Sequence, residues 1–380
     1  MPLSAKAKMS SSFPSFLLLL FLFLTVVLVT TSSVAQAQTQ LKNRSLKSPF
    51  SAIYVFGDST VDPGNNNYIK TLLKSNFTPY GRDFPNHKPT GRFTNGRLAT
   101  DFIASYLGLK EFVPPYLDKT LSLQELMTGV SFASAGSGYD PLTSQLASVI
   151  DISKQLDYFR EYKTRLEQAI GKKKTANIIE KSGVVISSGS DDFMFNYFLV
   201  PIRQLEFTVD SYQQFLIQNL WQTVESLWKL GVRKIAVSGL PPLGCLPLVI
   251  TLNPINTNEI IERGCIEKYS SAARDYNQKL QVELATMKKH YAKLGGRIVY
   301  VDIYQPLLQL IQGHKQFGFK EWRRGCCGTG LVETTFLCNL KSPVCPDASK
   351  YIFWDSVHPT ERTYFLIFNT FNATINTLLN

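Results

Sequence analysis

The stretch Ser51-Ala-Ile-Tyr-Val-Phe-Gly-Asp-Ser59 decides how this chain is read. After Ala52 its apolar residues are β-branched or aromatic, run without a polar interruption, and stop at Gly57-Asp58-Ser59. An apolar run this short, closed by turn-forming residues, predicts a strand covered on both faces. Similar runs recur at 183–188 (Gly-Val-Val-Ile-Ser-Ser), 234–238 (Lys-Ile-Ala-Val-Ser) and 297–302 (Arg-Ile-Val-Tyr-Val-Asp). Between them, apolar residues fall at helical spacing. They are Leu98, Phe102, Ile103, Tyr106 and Leu107; then Ile152, Leu156, Phe159, Leu166 and Ile170; then Leu216, Leu220, Val224, Leu227 and Trp228 within 209–230; then Ala273, Tyr276, Leu280, Leu284, Met287 and Tyr291. Gly231 and Gly295-Gly296 stop the last two of these helices, and 363–378 predicts a closing helix. Apolar strands alternating with amphipathic helices imply a three-layer α/β/α sandwich around a parallel sheet. Crossovers are right-handed, and ligands bind beyond the carboxyl ends of the strands. Gly57-Asp58-Ser59 and Gly189-Ser190-Asp191, each following a strand, are therefore where chemistry is expected.

The chain has 380 residues, 44% hydrophobic and 18% charged, which excludes a disordered protein. Its length allows one or two domains. There is no repeat, low-complexity tract or compositional boundary, so 51–380 is read as one domain. The formal charge of +11 is scattered, and its longest run, Lys172-Lys173-Lys174, reads as a solvated helix edge rather than a nucleic-acid site. Lys6 and Lys8 precede the apolar stretch 16–29, and Ala35-Gln36-Ala37 follows with small-x-small spacing, so 1–37 is expected to be a signal peptide. The apolar stretch is short for a membrane span, no later segment is long enough for one, and 38–50 reads as a loose arm. Six cysteines suit an oxidising compartment. Cys245–Cys265 is the favoured pair; the adjacent Cys326 and Cys327 reach Cys338 and Cys345 in an order left open. No His lies in this cluster, so no metal is expected. Asn43, Asn76 and Asn372 begin Asn-x-Ser/Thr sequons and are glycan candidates.

Three separated segments carry the chemistry: Phe56-Gly57-Asp58-Ser59, Gly189-Ser190-Asp191-Asp192 and Asp355-Ser356-Val357-His358-Pro359. With Asp62-Pro-Gly-Asn-Asn-Asn67, Gly129-Val-Ser-Phe-Ala-Ser134, Leu240-Pro-Pro-Leu-Gly-Cys245 and Gly325-Cys-Cys-Gly328, in that chain order, the sequence resembles the plant branch of the GDSL esterase/lipase family, the SGNH hydrolases. The resemblance runs from about 51 to 371. It implies a flavodoxin-like sandwich, Ser59 as nucleophile, Asp355 and His358 as its triad partners, and Gly136 as a backbone donor to the oxyanion. Residue chemistry agrees independently. A serine hydroxyl needs a base, and His358 has an acid three residues before it that can orient its ring.

One position departs from the family pattern, which places Asn where Asp191 stands. An ionised carboxylate cannot donate to an oxyanion. Asp191 is therefore expected to be protonated, to turn away, or to leave a poor enzyme. Asn65-Asn66-Asn67 is expected to turn and cap beside the site, and His87, His290 and His314 are expected to be surface or structural. The aromatic segment 193–198 either lines an acyl pocket or packs the core. Gly136-Ser137-Gly138 lacks the Lys-Ser/Thr of a phosphate loop. The function expected is a secreted serine esterase or lipase, without cofactor, acting on an ester-bearing small molecule, lipid or cell-wall polymer in the apoplast. The alternatives are an acyltransferase using the same triad and a weakly catalytic binding protein.

Overall fold

The computed structural model describes residues 50–253 and 262–379. The expected leader, the arm up to residue 49 and Asn43 lie outside the described residues. The four expected strands form at β1 (Ile53–Gly57), β2 (Gly183–Ser187), β3 (Lys234–Ser238) and β4 (Arg297–Val301). They pair in parallel in the order β1-β2-β3-β4. A fifth segment, unforeseen as a strand, lies on the other side of β1. Val55 donates to the Val130 carbonyl at 3.2 Å, Phe132 donates to Val55 at 2.7 Å, and Ser131 bridges Val55 in parallel. Including it, the chain-order pattern across the sheet is 2-1-3-4-5, the doubly wound flavodoxin-like order. Consecutive crossovers leave β1 in opposite directions, so the carboxyl end of β1 is the switch point of the sheet.

The principal helices are α1 (Ala99–Tyr106), α2 (Ile152–Ile170), α3 (Val209–Lys229), α4 (Glu267–Ala292), α5 (Glu361–Phe368) and α6 (Asn372–Leu379). Side-chain oxygens start three of them: Asp151 accepts from Lys154 N, Thr208 from Ser211 N and Thr360 from Thr363 N. α4 begins six residues before the expected Ala273, because Tyr269 and Ser270 are also buried. The expected closing helix is two helices joined by a 3-10 turn at Asn369–Phe371. There the Thr370 hydroxyl donates to the Ile367 carbonyl at 2.7 Å, a local bond that competes with the helical ladder.

Strand alternation sends Tyr54 and Phe56 to one face, against Phe159, Tyr162 and Phe132 with ring centroids 5.0–5.7 Å apart. Ile53 and Val55 face the other way, into a cluster with Val61, Ala104, Val113 and Ala133. Two further strands, β5 (Glu321–Gly325) and β6 (Tyr351–Phe353), pair in parallel outside the main sheet. They escaped the sequence reading because β5 carries Arg323 and Arg324, both exposed, and β6 has three residues. Cys245–Cys265 pairs as expected, and the open order resolves to Cys326–Cys345 and Cys327–Cys338. No described helix is long and apolar enough to cross a membrane.

Gly57 ends β1 at φ 138°, where a Cβ would stand 1.7 Å from the Ser187 carbonyl oxygen. Gly57→Ala therefore collides with the backbone of β2 and forces an unfavourable φ. It is expected to destabilise the fold by about 4 kcal/mol or more, read from urea unfolding. A loss under about 1 kcal/mol would show that the strand ends separate freely.

Candidate active site

The switch point brings together residues 299 positions apart in sequence. Ser59 follows β1, and Asp355 and His358 follow β6. The His358 Nε2 lies 2.8 Å from Ser59 Oγ, and its Nδ1 lies 2.9 and 2.8 Å from the two carboxylate oxygens of Asp355. Ser59 is 8% exposed, His358 4% and Asp355 0%. The turn 355–358 is held by Asp355 itself, which accepts from Val357 N at 2.9 Å and His358 N at 2.7 Å. The hydroxyls of Tyr80 and Thr334 both donate to Asp355 Oδ2, at 2.7 and 3.1 Å. Burial acts to raise this carboxyl. The charge and hydrogen bonds of His358, with the Tyr80 hydroxyl, outweigh it and hold Asp355 below the usual carboxylate range. Phe93 covers the imidazole at 4.9 Å between ring centroids.

The segment beside Asp355 is pinned covalently. Cys326 N and Cys327 N donate to the carbonyls of Phe353 and Trp354, at 3.1 and 2.8 Å, and both cysteines are in disulfides. A Cβ at Gly325 would meet the Asp355 carbonyl oxygen at 2.4 Å, which accounts for the glycine before the cysteine pair.

The loop carrying Gly136 is held from both flanks by buried carboxyls. Asp62 accepts from Gly64 N and Asn65 N, each at 2.7 Å, and from Ala135 N at 3.1 Å. Asp192 accepts from Tyr139 N at 2.8 Å, Asp140 N at 3.1 Å and Thr143 Oγ1 at 2.5 Å. Burial pushes Asp62 up to about 6 and Asp192 up to about 7 despite these donors. Asn65 and Asn66 do turn and cap here, donating to the carbonyls of Ser131, Ala133 and Ala135. Asp58, beside the serine, accepts from Thr60 N and Oγ1 at 3.0 and 2.6 Å, and burial pushes it up to about 6.

Asp191 is buried, and its Oδ2 has no hydrogen-bond partner among the described residues. Burial, then the neighbouring Asp58 and Asp192 charges, push it well above the usual carboxylate range, against the Gly136 backbone N–H directed at it. The Ser59 backbone N–H donates to no other group among the described residues.

The remaining expected residues lie elsewhere. His87 and His290 are exposed, and His314 is half-buried. Segment 193–198 winds into a π-helical stretch at Asp192–Leu199, where Phe193 is fully buried against Tyr212 and Tyr276, as core packing. Asn76 and Asn372 are exposed. Among the described residues, no cluster of His, Cys, Asp or Glu has the makings of a metal site. Sequence reasoning missed Asp62, Tyr80, Phe93, Asp192 and Thr334. Asp62 and Asp192 sat inside quoted motifs, whereas nothing local marks Tyr80 or Thr334 as partners of an acid 275 and 21 positions away.

The family model described as GDSL-like Lipase/Acylhydrolase matches residues 53–371. The chain belongs to the GDSL lipase/acylhydrolase family. The Arabidopsis thaliana protein GDSL esterase/lipase At5g45960 is 55% identical over 333 residues, 88% of each chain. GDSL esterase/lipase At1g06990, also of Arabidopsis thaliana, is 47% identical over 84% of this chain and 88% of its own. Among solved structures, LAE5, titled an α/β hydrolase from the metagenome of Lake Arreo, aligns over 87% of this chain and 99% of its own. Its identity is 11% and its TM-score 0.37. This GDSL family member is accordingly a hydrolase of the esterase/lipase kind, for which ester-bearing substrates are expected.

Tyr80→Phe keeps the shape at Asp355 and removes one donor from a buried carboxylate. It is expected to cost about 1.5–3 kcal/mol at pH 7 in urea unfolding. Because the native pKa of Asp355 is depressed, the stability it contributes is present above about pH 4 and is lost as pH falls through that lower native value. The difference between the two proteins should shrink over the same acidic range. A gap that persists unchanged there would place the effect in packing instead.

Proposed function

We propose that this GDSL hydrolase is a serine esterase working through an acyl-enzyme on Ser59, with His358 as general base and acid and Asp355 as its orienting carboxylate. The observation that carries the reading is the continuous hydrogen-bonded line from Ser59 Oγ through both ring nitrogens of His358 to Asp355. A carboxylate that accepts from Nδ1–H leaves Nε2 unprotonated and facing the hydroxyl, the arrangement in which a base removes the serine proton during attack. Asp355 then stabilises the imidazolium. The same proton passes to the leaving alcohol, and water repeats the sequence on the acyl-enzyme. The Ser59 N–H is free to meet the oxyanion, and the Gly136 N–H stands beside Asp191.

In this reading Asp191 acts as a neutral acid. Burial and then two neighbouring carboxyls disfavour its charge, and a protonated carboxyl has an O–H to donate where a carboxylate has none. Exposed Asn76 and Asn372 are proposed glycan acceptors, and three disulfides suit export behind the leader at 1–37.

Purified protein assayed on p-nitrophenyl esters between about pH 5 and 8 tests the mechanism. Ser59→Ala is expected to lower kcat by about 10⁴-fold or more at every pH. Retained turnover in that variant removes Ser59 as the nucleophile. Asp191→Asn supplies an amide donor that does not titrate, so kcat should be kept where Asp191 is protonated, and the wild-type decline at the pH where Asp191 ionises should disappear. A large loss of kcat where Asp191 is protonated, or an alkaline decline that persists in the variant, would refute the neutral-acid role.

A further inference from the structure

The two faces of the sheet are filled differently. Towards α2 and α3 it presents Tyr54, Phe56, Ile186, Ile235 and Val237, all buried. Towards α1, α5 and α6 it presents Ile53 and Val185 but also the short Ser187, Ala236 and Ser238, and there a cavity of about 130 Å³ remains. Protein interiors are close-packed, and an unfilled void lowers stability in proportion to its volume. The walls are almost wholly apolar. Such a space stays dry and accepts hydrocarbon, and one of about 150 Å³ takes a benzene ring.

Position gives the cavity a purpose. Thr60 and Pro359 line it, and they are the residues that follow Ser59 and His358. From there it extends along the sheet to Phe50 and Leu378. Tyr364 of α5 also lines it; its hydroxyl is buried without a hydrogen-bond partner among the described residues. Burial, with the charges of Asp58 and Asp355, keeps that phenol protonated, so a donor stands at the end of the cavity nearest the triad. A long apolar volume with one unmatched donor at the catalytic end matches an acyl chain with a polar head.

We propose that this cavity is the acyl-binding site: the hydrocarbon of a medium-length acyl group, about six carbons, enters between Thr60 and Pro359 and lies between the sheet and α1, α5 and α6. The Tyr364 hydroxyl donates to the oxygen-bearing end of the chain. The proposal rests on Ser59 acting as the nucleophile, and it selects medium-chain acyl esters over acetates.

The test uses p-nitrophenyl esters from acetate to dodecanoate and two variants that fill the cavity, Ala236→Leu from the sheet and Ile103→Phe from α1. In the wild type, kcat/KM for hexanoate should exceed that for acetate by about tenfold or more and should decline beyond octanoate. Each variant should lower the hexanoate-to-acetate ratio by about tenfold while keeping or raising Tm. A ratio unchanged in folded variants overturns the proposal. A second measurement needs no turnover. Hexanoic acid should raise the Tm of Ser59→Ala, and the rise should vanish when Ala236→Leu is added. If a filled variant does not fold, the shift in Ser59→Ala decides. If Ser59→Ala still hydrolyses esters, the nucleophile assignment fails separately, and absence of the hexanoic acid shift overturns the cavity assignment on its own.

Discussion

An ionised carboxylate sealed away from water is tolerated when donors surround it, and Asp355 is such a group. Its donors come from three separated parts of the chain: Tyr80, Thr334, and the turn 357–358. Keeping them in place explains much of the architecture around it. The β5–β6 pair delivers the chain to Asp355, and the disulfides of Cys326 and Cys327 tie down the segment that bears Thr334. Removing any one donor leaves charge unmatched in a low dielectric, where an unpaired group is most costly. The imidazole geometry is a consequence of this arrangement, because Nδ1 is one of the donors.

The other buried acids near the serine go the opposite way. Asp58, Asp62 and Asp192 are pushed up to about 6, 6 and 7, and Asp191 well above its ordinary range. One carboxyl is held charged by its imidazole partner and several donors, while burial keeps charge off the others, with neighbouring carboxyls adding to the effect at Asp191 and Asp192. Separating acids by environment in this manner allows one site to contain both a carboxylate and a carboxylic acid at the same pH. The backbone is held by the same acids: Asp62 and Asp192 grip the two flanks of the loop that includes Gly136.

The unequal filling of the sheet fits the same economy. The face against α2 carries a dense aromatic cluster, in which Tyr54 and Tyr162 also share a hydrogen bond at 3.0 Å. That side anchors the strands. The opposite face gives up contacts where Ser187 and Ala236 stand, a sacrifice of stability that natural proteins make where a site needs room.

Local chemistry was enough to read much of this protein. Apolar runs closed by Gly-Asp-Ser or Gly-Ser-Asp, with helical spacing between them, announce a parallel sheet, because strand and helix periods are properties of neighbouring residues. The acid three residues before His358 announced its own partner for the same reason. The position of Ser59 against His358 was legible as an expectation from motif order, but the 2.8 Å contact depends on β1 and β6 ending at one switch point. Tertiary structure alone decided four things. They are the fifth segment beside β1 at 130–132, the order of the disulfides at Cys326 and Cys327, the donors from Tyr80 and Thr334, and the Asp191 oxygen left without a partner among the described residues. Each is a relation between segments far apart in the chain. Burial, charge proximity and hydrogen-bond partnership are set by what the fold brings close, and no local pattern of residues encodes them.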